Sequence, residues 1–330
     1  MKKKMQGNCL LIMIFLLCGA VLNRLFIYDD HSIWSTNSRV ETYEKLPKDS
    51  LDVLFVGSSN IMSAINPVQL WNETGIQSYN FCSRAQTFPF TYAYLYEALK
   101  SQTPNCIVID AYSVISDKSV YNLINSEVHL EMNFSSLKFS TVKYEIMKQN
   151  LPLQKQILIE LPIIKNHSRY KNWFIKDDTD DIYMGYCFVE EATTLATPTY
   201  SDKVAELQEV DKVYIDKIIQ LCDSKGIELI IIKTPVVISE EQHQVINGLG
   251  MYIEEYGVQF YDCSEGKDIN GFDFETDMMD GIHLNKNGAK KMTSYIAQIL
   301  GTIYDFKNSD RHRYNWIWKD EYERMKLKIT

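Results

Sequence analysis

The stretch Asp52-Val53-Leu54-Phe55-Val56-Gly57-Ser58-Ser59-Asn60 decides the fold. A short apolar run broken by glycine and two serines reads as a strand buried on both faces, followed by a turn into a helix. Working outward, Gln77–Phe81, Cys106–Asp110 (CIVID), Glu228–Lys233 (ELIIIK) and Val258–Asp262 repeat the strand pattern. Helical patterns lie between them at Phe90–Ser101, Lys203–Lys225, Glu240–Tyr256 and Asn285–Leu300. Gly226 stands where a helix-ending glycine belongs. Strand and helix in alternation predict an α/β fold, a three-layer parallel sheet flanked by helices. About 90 residues between the third and fourth strands, 111–202, break the rhythm and predict a helix-rich, aromatic insertion capping the sheet's carboxyl edge.

Composition excludes other classes. The 330 residues are 45% apolar, enough for a sizeable core, and carry 34 basic against 43 acidic side chains, a formal charge of -9. An acidic chain with no basic stripe is a poor partner for nucleic acid, whose binding rests on phosphate neutralisation. A mean hydropathy of -0.22 excludes a polytopic membrane protein but not a single anchor.

Three lysines at 2–4 precede the uncharged run Cys9–Leu22, and the apolar character extends past Arg24 to Tyr28. The run is about the length a bilayer requires only with that extension. A cleaved signal, a signal anchor and a core helix compete. The flanking lysines favour a targeting segment with its N-terminus inside, and no A-x-A cleavage site follows. Residues 1–28 are therefore expected to be an uncleaved single-pass anchor, with the remaining chain outside the cytoplasmic membrane. Residues 29–50 read as a polar linker, 51–301 as the domain, and 302–330 as a tail packed on the domain or lying near the membrane. Seven cysteines without a CxxC pair give neither a disulfide framework nor zinc spacing.

In open parallel sheets ligands bind beyond the carboxyl ends of the strands. Two segments belong there: Gly57-Ser58-Ser59-Asn60, and Asp280-Gly281-Ile282-His283-Leu284-Asn285 before the last helix. A serine hydroxyl needs a base to become a nucleophile, histidine supplies one near neutral pH, and a carboxylate fixes the imidazole tautomer. A tight turn with an N-cap, and a cap beside a surface histidine, explain each segment separately; their conjunction points to chemistry.

On these residues the chain, from about Leu51 to Leu300, resembles the SGNH (GDSL-type) hydrolase superfamily. Gly57-Ser58-Ser59 is similar to its G-D-S block with serine for aspartate, and Asp280-Gly281-Ile282-His283 to its D-x-x-H block. The resemblance implies a flavodoxin-like fold, Ser59 as nucleophile, His283 as base and Asp280 as its orienting acid, with no metal or cofactor. Around them, Ser59 itself, Asn60, Cys82 and Arg84 are the oxyanion or substrate-binding candidates. Cys82 stands where the family has an oxyanion glycine, and the family's asparagine after the third strand has no counterpart in Asp110-Ala111-Tyr112-Ser113. The anchor, the insertion and the wording DGIHLNKNGAKK further resemble envelope proteins related to accessories of teichoic-acid D-alanylation and alginate acetylation. That likeness implies an acyl donor and a surface glycan as substrates, and a membrane-bound O-acyltransferase as partner. An ester hydrolase, or a glycan-binding scaffold without chemistry, stays open beside it. His167 reads as a surface histidine more readily than a substrate contact. Asp177, Asp178, Asp180 and Asp181 lack the order of a calcium loop. Tyr92, Tyr94 and Tyr96 fit helix packing as well as sugar stacking.

Overall fold

The structure is a computed structural model that describes residues 32–114, 126–168, 181–198, 200–306 and 309–329, with 13, 14, 17–19, 21–23 and 25–27. Helix α1 (Thr36–Glu44) precedes β1 (Val53–Val56), α2 (Ser59–Ala64), α3 (Pro67–Thr74), β2 (Ser78–Asn80), α4 (Phe88–Ala98) and β3 (Cys106–Asp110). The insertion carries α5 (Glu127–Ser136), α6 (Thr141–Asn150), α7 (Leu153–Glu160), α8 (Pro162–Asn166) and the hairpin β4 (Ile182–Tyr183) and β5 (Tyr186–Cys187). Then come α9 (Glu209–Lys225), β6 (Glu228–Lys233), α10 (Glu240–Glu254), β7 (Gln259–Asp262), α11 (Lys286–Ile303) and α12 (Asn315–Ile329).

The sheet is parallel throughout, in the order β2-β1-β3-β6-β7. The chain leaves β1 for one side and later crosses to β3 on the other. The carboxyl ends of β1 and β3 therefore flank the switch point, where an open sheet leaves a crevice. Side chains alternate between the two faces with period two. Leu54, Val56, Ile107, Ile109, Leu229 and Ile231 enter one apolar core. Val53, Phe55, Cys106, Val108, Ile230 and Ile232 enter the other. The all-buried strands explain why their sequences show apolar runs rather than alternation.

Three expectations change. Residues 32–50 are not a linker. Arg39 is fully buried, and its guanidinium donates to the carbonyls of Gly185, Ser35 and Ile33 and to Cys187 Sγ at 2.7–2.8 Å. Tyr43 is buried against Tyr79 and Phe81. The polar composition conceals an arginine whose donors are all directed inward. Residues 203–208 are not the first turns of a helix. They form a strap on α10, where Ala205 N–H donates to Gln244 O at 2.8 Å and Asn247 Nδ2 to Ser201 O at 2.7 Å. Gly248 makes this approach possible, since a Cβ there would stand 1.9 Å from Ala205 O. Finally, the insertion does not lie on the carboxyl edge alone: its hairpin flanks the outer edge of β2, with Asn80 N–H donating to Met184 O at 3.0 Å. Covering an edge strand removes a template for aggregation.

The tail packs on the domain. Trp318 on α12 is fully buried and donates from Nε1 to Ser78 O at 3.0 Å. Among the described residues no helix is long and apolar enough to cross a membrane, and most of the segment 1–28 lies outside them.

Gly57 links β1 to α2 under Asp110, and a Cβ there would sit 2.6 Å from Asp110 Cβ and 3.2 Å from Ile61 Cγ1. Overpacking of this kind costs roughly 1–3 kcal/mol. Gly57→Ala is expected to lower urea-unfolding stability by that amount; an unchanged midpoint and slope would show that the turn is not closely packed.

Candidate active site

Ser58 caps α2, its Oγ accepting from Asn60 N–H at 3.2 Å, so Ser59 becomes the first helical residue and its side chain faces the crevice. The opposing loop is shaped by Asn285. Its Oδ1 caps α11 by accepting from Asn287 N–H and Gly288 N–H, while Nδ2 donates to Thr276 O at 2.9 Å and Met278 O at 3.3 Å. Met279 N–H donates to His283 O at 2.9 Å, closing the loop that holds Asp280 and His283.

The two segments meet. His283 Nε2 lies 2.9 Å from Ser59 Oγ, and His283 Nδ1 lies 2.9 Å from Asp280 Oδ2. With the Nδ1 proton directed at the carboxylate, Nε2 is the acceptor facing the hydroxyl. Asp280 Oδ1 also accepts from the N–H groups of Ile282 and His283 at 2.7 and 2.8 Å. Burial alone would raise the Asp280 carboxyl; the hydrogen bond and charge of His283, with those two N–H donors, outweigh it and hold it at about 2. Trp34, from the segment expected to be a linker, places its ring 4.8 Å from the His283 ring. Trp34, Tyr112, Met279 and Ile282 make the apolar walls of a cleft of about 250 Å³, and Arg84, Ala85 and His129 complete its rim.

Of the flanking candidates only Arg84 reaches this cleft. Asn60 is buried, and its Nδ2 is directed at Thr234 Oγ1, because one helical step of about 100° turns it away from Ser59. Cys82 is buried with its thiol toward Phe55 O, and burial pushes that thiol well above its ordinary range. The flanking Phe81 and Ser83 N–H groups donate to Phe55 O and Gly57 O. Near Cys82 the lining of the cleft is made by Arg84 and Ala85. Ala85 lies in the left-handed region at φ 49, a conformation costing an alanine ~1 kcal/mol. Asn133 on α5 fixes this turn. It donates to Arg84 O at 2.9 Å and to His129 O at 2.8 Å, and accepts from Ser83 Oγ.

Other polar candidates fall elsewhere. His167 is exposed and bonds Ile164 O. Tyr94 is buried, and the Tyr92 ring lies tilted against Tyr214 with 6.0 Å between ring centres. Asp181 pairs with Lys328, while Asp177, Asp178 and Asp180 lie outside the described residues. No group of three ligating side chains occurs among the described residues.

Beneath the cleft lies a charged layer that sequence reading passed over. Ser58 Oγ donates to Asp110 Oδ2 at 2.7 Å, and Asp110 Oδ1 accepts from Tyr112 N–H at 3.2 Å. Thus β3 supplies a carboxylate directly beneath Ser58. Lys233, at the end of β6, is fully buried; its Nζ has no hydrogen-bond partner and lies 5.3 Å from the centre of the Tyr112 ring. Burial raises the Asp110 carboxyl and lowers the Lys233 ammonium, and the charge of each offsets part of the other's shift. A usable signal was present: CIVID and ELIIIK are neighbouring buried strands that end in opposite charges.

The serine after β1 and the Asp-x-x-His before α11 stand where the resemblance to the SGNH (GDSL-type) superfamily implies them. Neither a family model nor a curated protein matches the chain. Solved structures resemble it at low identity. A GDSL-like lipase from Bacteroides thetaiotaomicron is 11% identical, with a TM-score of 0.41 over 83% of this chain and 100% of the lipase. A variant of an acetyl-xylooligosaccharide esterase from Geobacillus is 10% identical, with a TM-score of 0.38 over 78% of this chain and 97% of the esterase. At this level of similarity, function has to be read from the site itself.

Three outcomes are expected. A depressed carboxyl keeps its stabilising contribution above its unfolded value near pH 4 and loses it as pH falls toward 2. Asp280 therefore stays ionised from pH 4 upward, and its protonation adds no proton to the pH dependence of kcat/KM on an aryl acetate above pH 4. A slope of two between pH 4 and 6 would contradict this. Asp280→Asn is expected to lower kcat by about 10⁴-fold, the cost of a misplaced imidazole tautomer. Lys233→Met leaves the Asp110 charge uncompensated and is expected to cost roughly 3–5 kcal/mol, most of it restored in Asp110→Asn/Lys233→Met. Equal losses in the single and double variants, measured by urea unfolding, would show that the two groups are uncoupled.

Proposed function

We propose that this chain is an SGNH-type serine ester enzyme working through an acyl-Ser59 intermediate. The observation that carries this is the continuous chain of short contacts from Ser59 Oγ through His283 to Asp280. As Ser59 Oγ attacks the acyl carbonyl, its proton passes to His283 Nε2, and the imidazolium formed is stabilised by Asp280. The imidazolium returns the proton to the leaving alkoxide, and the acyl group remains as an ester on Ser59. An acceptor hydroxyl, deprotonated by the same imidazole, then takes the acyl group and regenerates the serine.

The acceptor we assign is a cell-surface glycan, with acetyl as the example acyl group. The cleft volume, about 250 Å³, lies near the lower bound of ligand sites and suits a short acyl chain. We assign residues 1–28 as the membrane anchor, the domain to the extracytoplasmic side, and a membrane-bound O-acyltransferase as the source of the acyl group. The lysines at 2–4 and the uncharged run that follows support the orientation. Hydrolysis shares the first half-reaction and differs only in using water as acceptor.

The full chain in detergent, treated with a fluorophosphonate and weighed intact, is expected to gain one adduct that disappears in Ser59→Ala. A folded wild type that gains none would leave the serine without an activated oxygen and overturn the enzyme assignment. With an aryl acetate donor, acetyl recovered on added glycan oligomers rather than as acetate separates transfer from hydrolysis.

A further inference from the structure

Helices α7 and α8 carry an apolar row on the outside of the insertion. Leu153 and Ile157, four apart on α7, are followed by Leu161 at the joint and Ile164 on α8. They are 68%, 46%, 42% and 51% exposed. Isolated apolar residues on a surface are ordinary, but a continuous row marks a contact surface. The row is held in place from behind. Gln156 and Ile159 are buried, Glu160 pairs with Lys143 at 2.7 Å, and Lys155 and Lys165 pair with Glu127 and Glu131 of α5.

What covers the row is indicated by a second observation. The end of the N-terminal apolar run clasps the joint between these helices. Asn23 Nδ2 donates to Glu160 O at 2.8 Å, Asn23 Oδ1 accepts from Ile163 N–H at 3.3 Å, and Asn166 Nδ2 donates to Phe26 O at 3.0 Å. The side chains of Met13, Ile14, Leu17, Val21, Leu22 and Leu25 in that run are themselves exposed. The two apolar surfaces are therefore joined through Asn23.

We propose that α7 and α8 lie on the lipid bilayer, with this row set into the boundary between headgroups and acyl chains beside the N-terminal segment. The proposal rests on the assignment of residues 1–28 to the membrane. It adds a second contact, in the manner of interfacial amphipathic helices, that fixes how the domain sits. His129 of α5 is on the cleft rim, and α5 is tied to α7 and α8 by the two lysine–glutamate pairs. One helix then separates the bilayer from the cleft, and the acyl donor reaches Ser59 along the membrane surface.

The test is nitroxide accessibility on the full chain in lipid nanodiscs. With Cys9→Ser, the label goes on Cys18, the exposed native thiol; in Cys9→Ser/Cys18→Ser it goes on Ile157→Cys or Ile164→Cys, with Met251→Cys on α10 as a solvent control. The remaining described thiols are buried. The Ile157 and Ile164 labels are expected to show an oxygen-to-nickel accessibility ratio several-fold above that of Met251. Values equal to Met251, with Cys18 in lipid, overturn the docked face and leave the anchor standing. Low accessibility to both reagents places protein over the row and also overturns the proposal. A Cys18 label in water beside lipid-exposed Ile157 and Ile164 labels overturns the anchor alone.

Discussion

The hydrogen bond from Ser58 to Asp110 is the constraint on which the rest of the site depends. It joins the turn after β1 to the end of β3 across the switch point of the sheet. Ser58 simultaneously caps α2, so the same hydroxyl sets the helix start and the direction of Ser59. Gly57 lets the two strand ends approach, since any Cβ there would meet Asp110. Lys233 supplies the opposing charge from the next strand and lies under Tyr112, a wall of the cleft. A buried carboxylate and ammonium are costly to desolvate, so the layer is better explained as fixing one geometry than as adding stability.

Above this layer the site is assembled from distant parts of the chain. Ser59 comes from the first crossover, Asp280 and His283 from the loop between β7 and α11, Trp34 from ahead of the sheet, and His129 from the insertion. Asn133 and Arg39 serve comparable purposes at two places. Each is a buried polar side chain whose several bonds hold backbone carbonyls, one in the Arg84 turn and one between α1 and the β4–β5 hairpin. Such side chains specify a single arrangement because each donor left without a partner would cost about 1–3 kcal/mol.

The central sheet was legible because each strand is a short apolar run, and burial on both faces leaves that mark in one dimension. Ser59, Asp280 and His283 were legible because their chemistry needs those residue types beside turn-forming neighbours. Asn60 and Cys82 were misplaced for a physical reason: direction is set by helix phase and by strand pairing beyond β2, neither of which spacing along the chain fixes. Trp34, Arg39 and Asn133 were missed because their partners are far away in sequence. The linker expectation failed over 32–50 on the same ground, since a buried arginine and an exposed one read alike.

Trp318 illustrates a consequence for synthesis. The outer edge of β2 is flanked by the β4–β5 hairpin, about 100 residues later in the chain, and by the indole of α12, 240 residues later. A chain emerging N-terminus first thus carries an open strand edge through most of its translation. Contacts of such long separation also slow folding, because loop closure must precede them. Loss of the last helix would therefore show first as poor recovery of folded protein, before any change at the catalytic residues.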